Sequence, residues 1–207
     1  MKYIVFLLYS LSFISLYGQK AEEITINNNT IKSIVIEDDA IFKININTTS
    51  TKAIKITSKI EGEYSKRTHL LTQISNDVLS ITSVYPKLTT KTDDKLNAHK
   101  VHSIEIAIEV PENLSLYIKS AIASAKISGT YKNLILELNQ GNAKVLNFAG
   151  NATINTHNGN ITLETNNAKI KAKTKTGTIK SEKITQSTNQ IKIASINGNI
   201  KIYKTKN

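Results

Sequence analysis

The side chains whose type and spacing could do chemistry in this chain are lysines. Lys126, Lys144, Thr162, Lys180 and Lys201 each stand three residues after Ala123, Gly141, Gly159, Gly177 and Gly198 in turn. If those segments stack, the equal offset puts the side chains in one outward column. A second run, Lys169, Lys171, Lys173 and Lys175, alternates with Ile170, Ala172 and Thr174, and Lys192 falls on Lys171 when the repeats are superposed. The candidate ligand-binding set is therefore Lys126, Lys144, Lys171, Lys173, Lys180, Lys192 and Lys201. Its chemistry is electrostatic, because an array of ammonium groups attracts anions over long range. Unit charges about 5 Å apart in water repel by less than about 1 kcal/mol, so the column is tolerable without a partner. A regular anionic polymer would relieve the repulsion. The competing reading is a solvated lysine face that keeps a sheet edge soluble.

Catalytic chemistry needs converging groups, and few are available. Between Ala123 and Asn207 the carboxylates are Glu137, Glu164 and Glu182, with no Asp. β-Helical enzymes that cleave acidic polysaccharides hold calcium on several Asp residues beside a base, so that reaction is disfavoured. Glu164 and Glu182 share a repeat position and are expected side by side, where like charge could raise one pKa. Nearby Lys144 and Lys180 are expected to neutralise them. His99 and His102, near Asp93 and Asp94, stand three apart and point to opposite sides of an extended chain, so no metal site is predicted. His157 reads as a solvent-facing corner residue. There is no Gly-x-Ser-x-Gly elbow, no calcium-binding Gly-Gly-x-Gly-x-Asp repeat and no cysteine. No catalytic residue, metal or cofactor is predicted.

The elements that must position the lysines are strands. Ile41 to Ile46, Ile54 to Ile56, Val78 to Ile81 and Ile104 to Val110 alternate apolar and polar residues, the period of a half-buried strand. Pro111 ends the strongest of them. Glycines at 141, 159, 177 and 198, separated by 18, 18 and 21 residues, each open a strand. One inward column is Ala125, Ala143, Ile161, Ile179, Ile200, and a second is Ile127, Val145, Leu163, Ser181, Ile202. A second strand per repeat contributes Leu136, Ile154, Ala172 and Ile193, once an insertion is absorbed near Gln186 to Asn189. A period near 20 with stacked aliphatics predicts an all-β fold with a right-handed parallel β-helix, or β-solenoid, over residues 111–207 at about 18–21 residues per coil. Glycine allows the corner, and Asn142, Asn160 and Asn199 suit the turn. Hairpins at Asn158-Gly159 and Asn197-Gly198 would instead give a β-sandwich. Residues 19–110 read as a less regular β region capping the first coil, with a polar loop from Tyr85 to Lys100.

The first eighteen residues read as a cleaved secretory signal: Lys2, an apolar run from Tyr3 to Tyr17, and Gly18 at the cut. The run is too short to span a bilayer, and no later segment is long and apolar enough to do so. The net charge of +11 is concentrated: residues 167–207 hold ten Lys and one acid, Glu182. Outside the cytoplasm the expected anionic partner is an acidic polysaccharide or an anionic envelope lipid, not nucleic acid. The Lys-rich last coil argues for a monomer.

Three segments carry a family resemblance: Asp94-Lys-Leu-Asn-Ala-His-Lys-Val101, Val110-Pro-Glu-Asn-Leu-Ser-Leu-Tyr-Ile118, and Gly150 to Ile161. Over roughly residues 30–205 the chain resembles exported bacterial β-strand-repeat proteins of the adhesin-like "putative adhesin" group, a domain of unknown function, in its Bacteroidetes-type subgroup. The resemblance implies a right-handed parallel β-helix in the cell envelope and carries over no catalytic residue. The expected protein is thus an exported, non-catalytic binding or structural module of the periplasm or cell surface, with a basic face for anionic glycan or lipopolysaccharide. The alternatives are a β-helical carbohydrate-active enzyme using the Tyr85–Lys100 loop with Glu164 and Glu182, and a protein-recognising surface adhesin.

Overall fold

The structure, a computed structural model, describes residues 20–62, 65–84 and 103–205. The signal segment, the Tyr85–Lys100 loop, His99, His102 and the Asp94–Val101 motif lie outside the described residues.

Alternating sequence becomes alternating burial. The strands are β1 (Lys20–Ile26), β2 (Ser33–Glu37), β3 (Ile41–Thr49), β4 (Ile54–Glu61), β5 (His69–Ser75), β6 (Val78–Val84), β7 (Ser103–Pro111), β8 (Ser115–Ser120), β9 (Ser124–Gln140), β10 (Ala143–Asn158), β11 (Ile161–Glu164), β12 (Asn167–Thr174), β13 (Ile179–Ser181), β14 (Thr185–Asn197) and β15 (Ile200–Tyr203). They belong to one curled sheet that can be followed as two ladders. The first runs β1-β4-β7-β3-β9-β10-β11-β15-β13. The second runs β5-β6-β2-β8-β9-β10-β14-β12. From β2 onward the chain passes back and forth between them. Strands β9 and β10, at 17 and 16 residues, are long enough to serve both.

Each long strand bends where it changes ladder. Gly129 (φ 109°), Asn147 (φ 47°) and Gly150 (φ 132°) mark the bends. A Cβ on Gly150 would lie 1.9 Å from the Tyr131 carbonyl oxygen, so only glycine fits. Inside the bend Tyr131 stacks on Phe148 with ring centroids 6.0 Å apart, and the Tyr131 hydroxyl donates to the Ser128 carbonyl at 3.1 Å. Burial raises the Tyr131 pKa, which keeps the phenol protonated as that donor.

The sheet is mixed. β1, β4 and β7 pair antiparallel, as do β5 and β6, while the other pairs are parallel. Parallel pairing of Ala143 with Ile161, across Asn158-Gly159, excludes the hairpin sandwich there. The inner faces of both ladders supply one core, including Ile34 and Ile36, Ile44 and Ile46, Leu134 and Leu136, Ile191 and Ile193, and Ile200 and Ile202. The parallel ladders also extend further towards the N-terminus than the glycine repeat, since β3 pairs with β9 through Ile44 and Ala125, and β2 with β8 through Ile34 and Leu116.

The stacking order differs from the order of the sequence. Ile161 was expected beside Ile179; instead Ile161 pairs with Ile200, and Ile200 pairs with Ile179. Likewise Ile193 lies between Ile154 and Ala172. The chain lays down β12 and β13 as the outer layer, then returns through β14 and β15 to fill the layer beneath. Apolar content explains the exchange. Ile191, Ile193, Ile200 and Ile202 are all buried, whereas Ile179 is 43% exposed and Ser181 is exposed. The more apolar unit takes the position covered on both sides, and the lysine-rich unit takes the edge, where lysine discourages further pairing.

The glycines follow the same order. A Cβ on Gly159 would sit 1.8 Å from the Gly141 carbonyl oxygen, one on Gly198 2.0 Å from that of Gly159, and one on Gly177 1.9 Å from that of Gly198. Beside them runs a side-chain ladder. The Asn142 side-chain oxygen accepts from the Asn160 amide (2.8 Å), Asn160 from Asn199 (2.8 Å), and Asn199 from Thr178 (2.9 Å). The insertion lies where it was expected: Asn167 pairs with Thr185 and Lys169 with Gln190, so the extra residues bulge from β14.

Candidate functional site

Parallel register brings the lysines into columns, but on two surfaces. On the first ladder Lys126 pairs with Lys144, Lys144 with Thr162, Thr162 with Lys201, and Lys201 with Lys180. The four lysines are exposed, and the residues flanking Lys126, Lys144 and Lys201 along their strands are buried on the inner face. On the second ladder Lys171 pairs with Lys192, and Lys173 with Ala194. The seven lysines therefore form two groups on the outer faces of different ladders rather than the single face expected.

None of the seven makes an ion pair with a described residue. The ion pairs between described residues all fall within residues 20–119, among them Lys43–Glu105 (3.0 Å), Lys55–Glu23 (3.1 Å) and Lys119–Glu37 (3.1 Å). Each of these joins neighbouring strands of one ladder. The expected neutralisation of Glu164 and Glu182 by Lys144 and Lys180 is absent. Nor are those glutamates adjacent. Tyr203 pairs with Glu164, the Glu182 amide donates to the Ile202 carbonyl (2.9 Å), and the Glu182 carboxylate accepts from the Lys204 amide (2.8 Å). The exchange of layers thus removes the carboxylate pair on which the enzyme reading relied.

The second ladder has two grooves on its outer face that the sequence reading missed. One, about 630 Å³, is floored by Val35, Tyr117, Ile135 and Thr153 and edged by Asn133, Gln190 and Lys192. The other, about 760 Å³, continues along the same strands past Glu137, Asn155, His157, Ala194 and Lys173. Val35, Tyr117 and Ile135 are consecutive across three paired strands, and Ile135 is 40% exposed. Tyr117 makes a long contact to Glu137 (3.4 Å). Its pKa is raised, first by burial and then by the charges of Glu137 and Glu37, so the hydroxyl stays a donor at neutral pH. His157 bonds Asn139 at 2.9 Å. The signal in the sequence was that Tyr117, Ile135 and Thr153 stand 18 residues apart, the spacing of the glycine repeat, at outward positions of alternating strands. Val35 joins that floor only through the pairing of β2 with β8.

Among the described residues no group of three or more His, Asp or Glu could hold a metal ion, and no helix is long and apolar enough to cross a membrane.

No family model matches the chain, and no curated protein matches it in sequence. Solved structures do resemble it. A "putative cell adhesion protein" from Clostridium sporogenes aligns over 90% of this chain and 100% of its own, at 17% identity and a TM-score of 0.64. A "putative adhesin" from Bacteroides fragilis aligns over 91% of this chain and 98% of its own, at 13% identity and a TM-score of 0.39. A "putative lipid binding protein" from Parabacteroides distasonis aligns over 91% and 97%, at 15% identity and a TM-score of 0.25. The first of these shows a shared all-β fold and nothing of activity. The scores of the other two are too low to carry an argument.

Proposed function

We propose that this protein is an exported, non-catalytic binding module of the cell envelope that uses its lysine-rich C-terminal region to hold an anionic glycan or lipopolysaccharide. One observation carries the reading: seven lysines stand on the outer faces without an ion-pair partner among the described residues, six of them opposite another lysine and Lys173 opposite Ala194. The sheet places like charges on neighbouring strands, and a polyanion laid across them removes the repulsion without displacing a carboxylate of the protein. The leader-like first eighteen residues support export, to the periplasm or the surface. We take residues 111–207 as a right-handed β-solenoid capped by residues 19–110, and the strands that alternate between ladders support a coiled path. The likeness to the clostridial protein described as a cell adhesion protein is compatible with a binding role.

The test is retention on a heparin-type resin across a salt gradient. Elution well above physiological salt, falling stepwise in Lys144→Gln, Lys180→Gln and Lys201→Gln, is the expected result. Elution at low salt, unchanged by those substitutions, refutes the reading.

A second reading, recognition of a protein, has its own observation. Leu71 (48% exposed) and Val84 stand exposed on one face of the paired strands β5 and β6. Apolar groups gathered on an exposed surface are the usual mark of such a contact.

A further inference from the structure

We infer that the two grooves on the second ladder form one trough, and that the trough seats an acidic polysaccharide chain in an extended conformation. This rests on the binding role proposed above and names the ligand class and the surface.

Continuity comes first. Outward residues follow one another along each strand from one groove into the next: Tyr117 then Lys119, Ile135 then Glu137, Thr153 then Asn155, Lys192 then Ala194. From Ser115 to Ser120 the strand advances about 16 Å at the usual rise per residue, a length suited to a chain rather than a single small molecule.

The lining then selects the chain. Val35, Tyr117 and Ile135 make an apolar strip centred on an aromatic ring, against which the C–H face of a sugar ring can lie. Asn133, Asn155 and Gln190 have no side-chain hydrogen bond to a described residue. Each carboxamide offers two donors and an acceptor, which matches hydroxyls that both give and receive. A lipid acyl chain would leave those amides unsatisfied, at a loss of affinity.

Charge restricts the choice further. Lys192 and Lys173 stand at one flank, near the edge strand β12, without ion-pair partners among the described residues. Glu137 stands mid-floor on β9, between Lys119 and Asn155, and Asp39 lines the opposite flank beside Lys119, which is already paired with Glu37 (3.1 Å). A polymer charged densely on every side, such as polyphosphate, would meet those carboxylates. A polysaccharide with carboxylates at intervals can turn them towards the lysines and present hydroxyls to Glu137, which accepts from them.

The experiment compares two polyanions by calorimetry at moderate salt: polygalacturonate, a glycan, and polyglutamate, which carries carboxylates but no sugar. The wild-type protein is expected to favour polygalacturonate by about tenfold or more, the effect of a few hydrogen bonds. The double variant Asn133→Ala/Asn155→Ala should remove most of that preference and leave polyglutamate binding unchanged. Tyr117→Ala, which removes the ring from the floor, should weaken polygalacturonate more strongly. If it folds poorly, the exposed-amide variant still decides. Equal binding of both polymers, untouched by the trough variants but abolished by Lys126→Gln/Lys144→Gln/Lys201→Gln, overturns the trough and leaves the basic-face proposal standing. Binding of neither polymer overturns both.

Discussion

The lysines of residues 20–119 and those of residues 120–205 occupy the same kind of ladder and are used in opposite ways. In the first region a lysine on one strand meets a carboxylate on the next, as Lys43 meets Glu105 and Lys119 meets Glu37. In the second, Lys144 meets Lys126, Lys201 meets Lys180, and Lys171 meets Lys192. Opposite charges across strands favour their pairing, and like charges oppose it. The first region therefore spends its charge on the fold. The second must hold its strands by other means and leaves its potential turned towards solvent. Those other means are visible: glycines that let backbones approach, an asparagine ladder, and isoleucines packed between layers.

That division can be broken by substitution, and the largest effect belongs to the interior. Ile154, fully buried between Leu136 and Ile193, should destabilise the protein by about 3–4 kcal/mol when changed to Ala. Ile179→Ala, on the half-covered outer layer, should change stability by less than about 1 kcal/mol. Urea denaturation of the two variants measures the difference, and equal losses would mean that the outer layer is as well packed as the middle.

The glycine column comes next. Gly159→Ala sets a methyl 1.8 Å from a backbone oxygen held on both sides, and about 2–3 kcal/mol of destabilisation is expected. Gly177→Ala makes a similar clash, at 1.9 Å, but its strand is at the edge and can move outward, so about 1 kcal/mol is expected. The two midpoints, compared directly, show whether the outer layer can yield.

Charge substitutions should be smaller and of opposite character. Lys43→Gln loses its pair with Glu105 and should destabilise by roughly 0.5 kcal/mol, less in high salt. Lys144→Gln removes repulsion and should be neutral or slightly stabilising, while lowering retention on the polyanion resin. A loss of stability in Lys144→Gln would show that the column contributes to folding after all.

The smallest effect is a pH dependence at the Lys32–Asp77 pair, 2.7 Å apart on the exposed side of the first region. The Lys32 hydrogen bond and charge lower the Asp77 pKa, and Asp77 raises that of Lys32 by the same two causes. The carboxylate thus adds stability at pH above its unfolded pKa, lost as pH falls through its depressed folded value. The ammonium adds stability below its unfolded pKa, lost as pH rises through its raised folded value. A thermal-melt profile should flatten at both extremes in Asp77→Asn, with a shift far smaller than those above. An unchanged profile would show that the pair is too well solvated to matter.

How much of this was legible follows from what each pattern depends on. Alternation at Ile104 to Val110 identified a strand because the pleat imposes its period locally. The glycine offsets identified the register position of each residue, though not its neighbour, because every unit must meet the next with a glycine where a Cβ would strike a carbonyl. The trough was legible only in part. Tyr117, Ile135 and Thr153 stand 18 residues apart, the spacing of the glycine repeat, whereas Val35 lies outside that spacing, and β2 joins β8 only because the chain returns after β7.

The sequence by itself determined that the protein is built of strands, that its C-terminal units align glycine on glycine and isoleucine on isoleucine, and that its basic charge gathers there. The tertiary structure alone decided the order of the layers and which lysines share a surface. A parallel ladder constrains register and is indifferent to chain order, so Ile200 satisfies Ile161 as well as Ile179 would. The choice fell to the unit with more apolar surface to bury on two sides, and no local spacing records that competition.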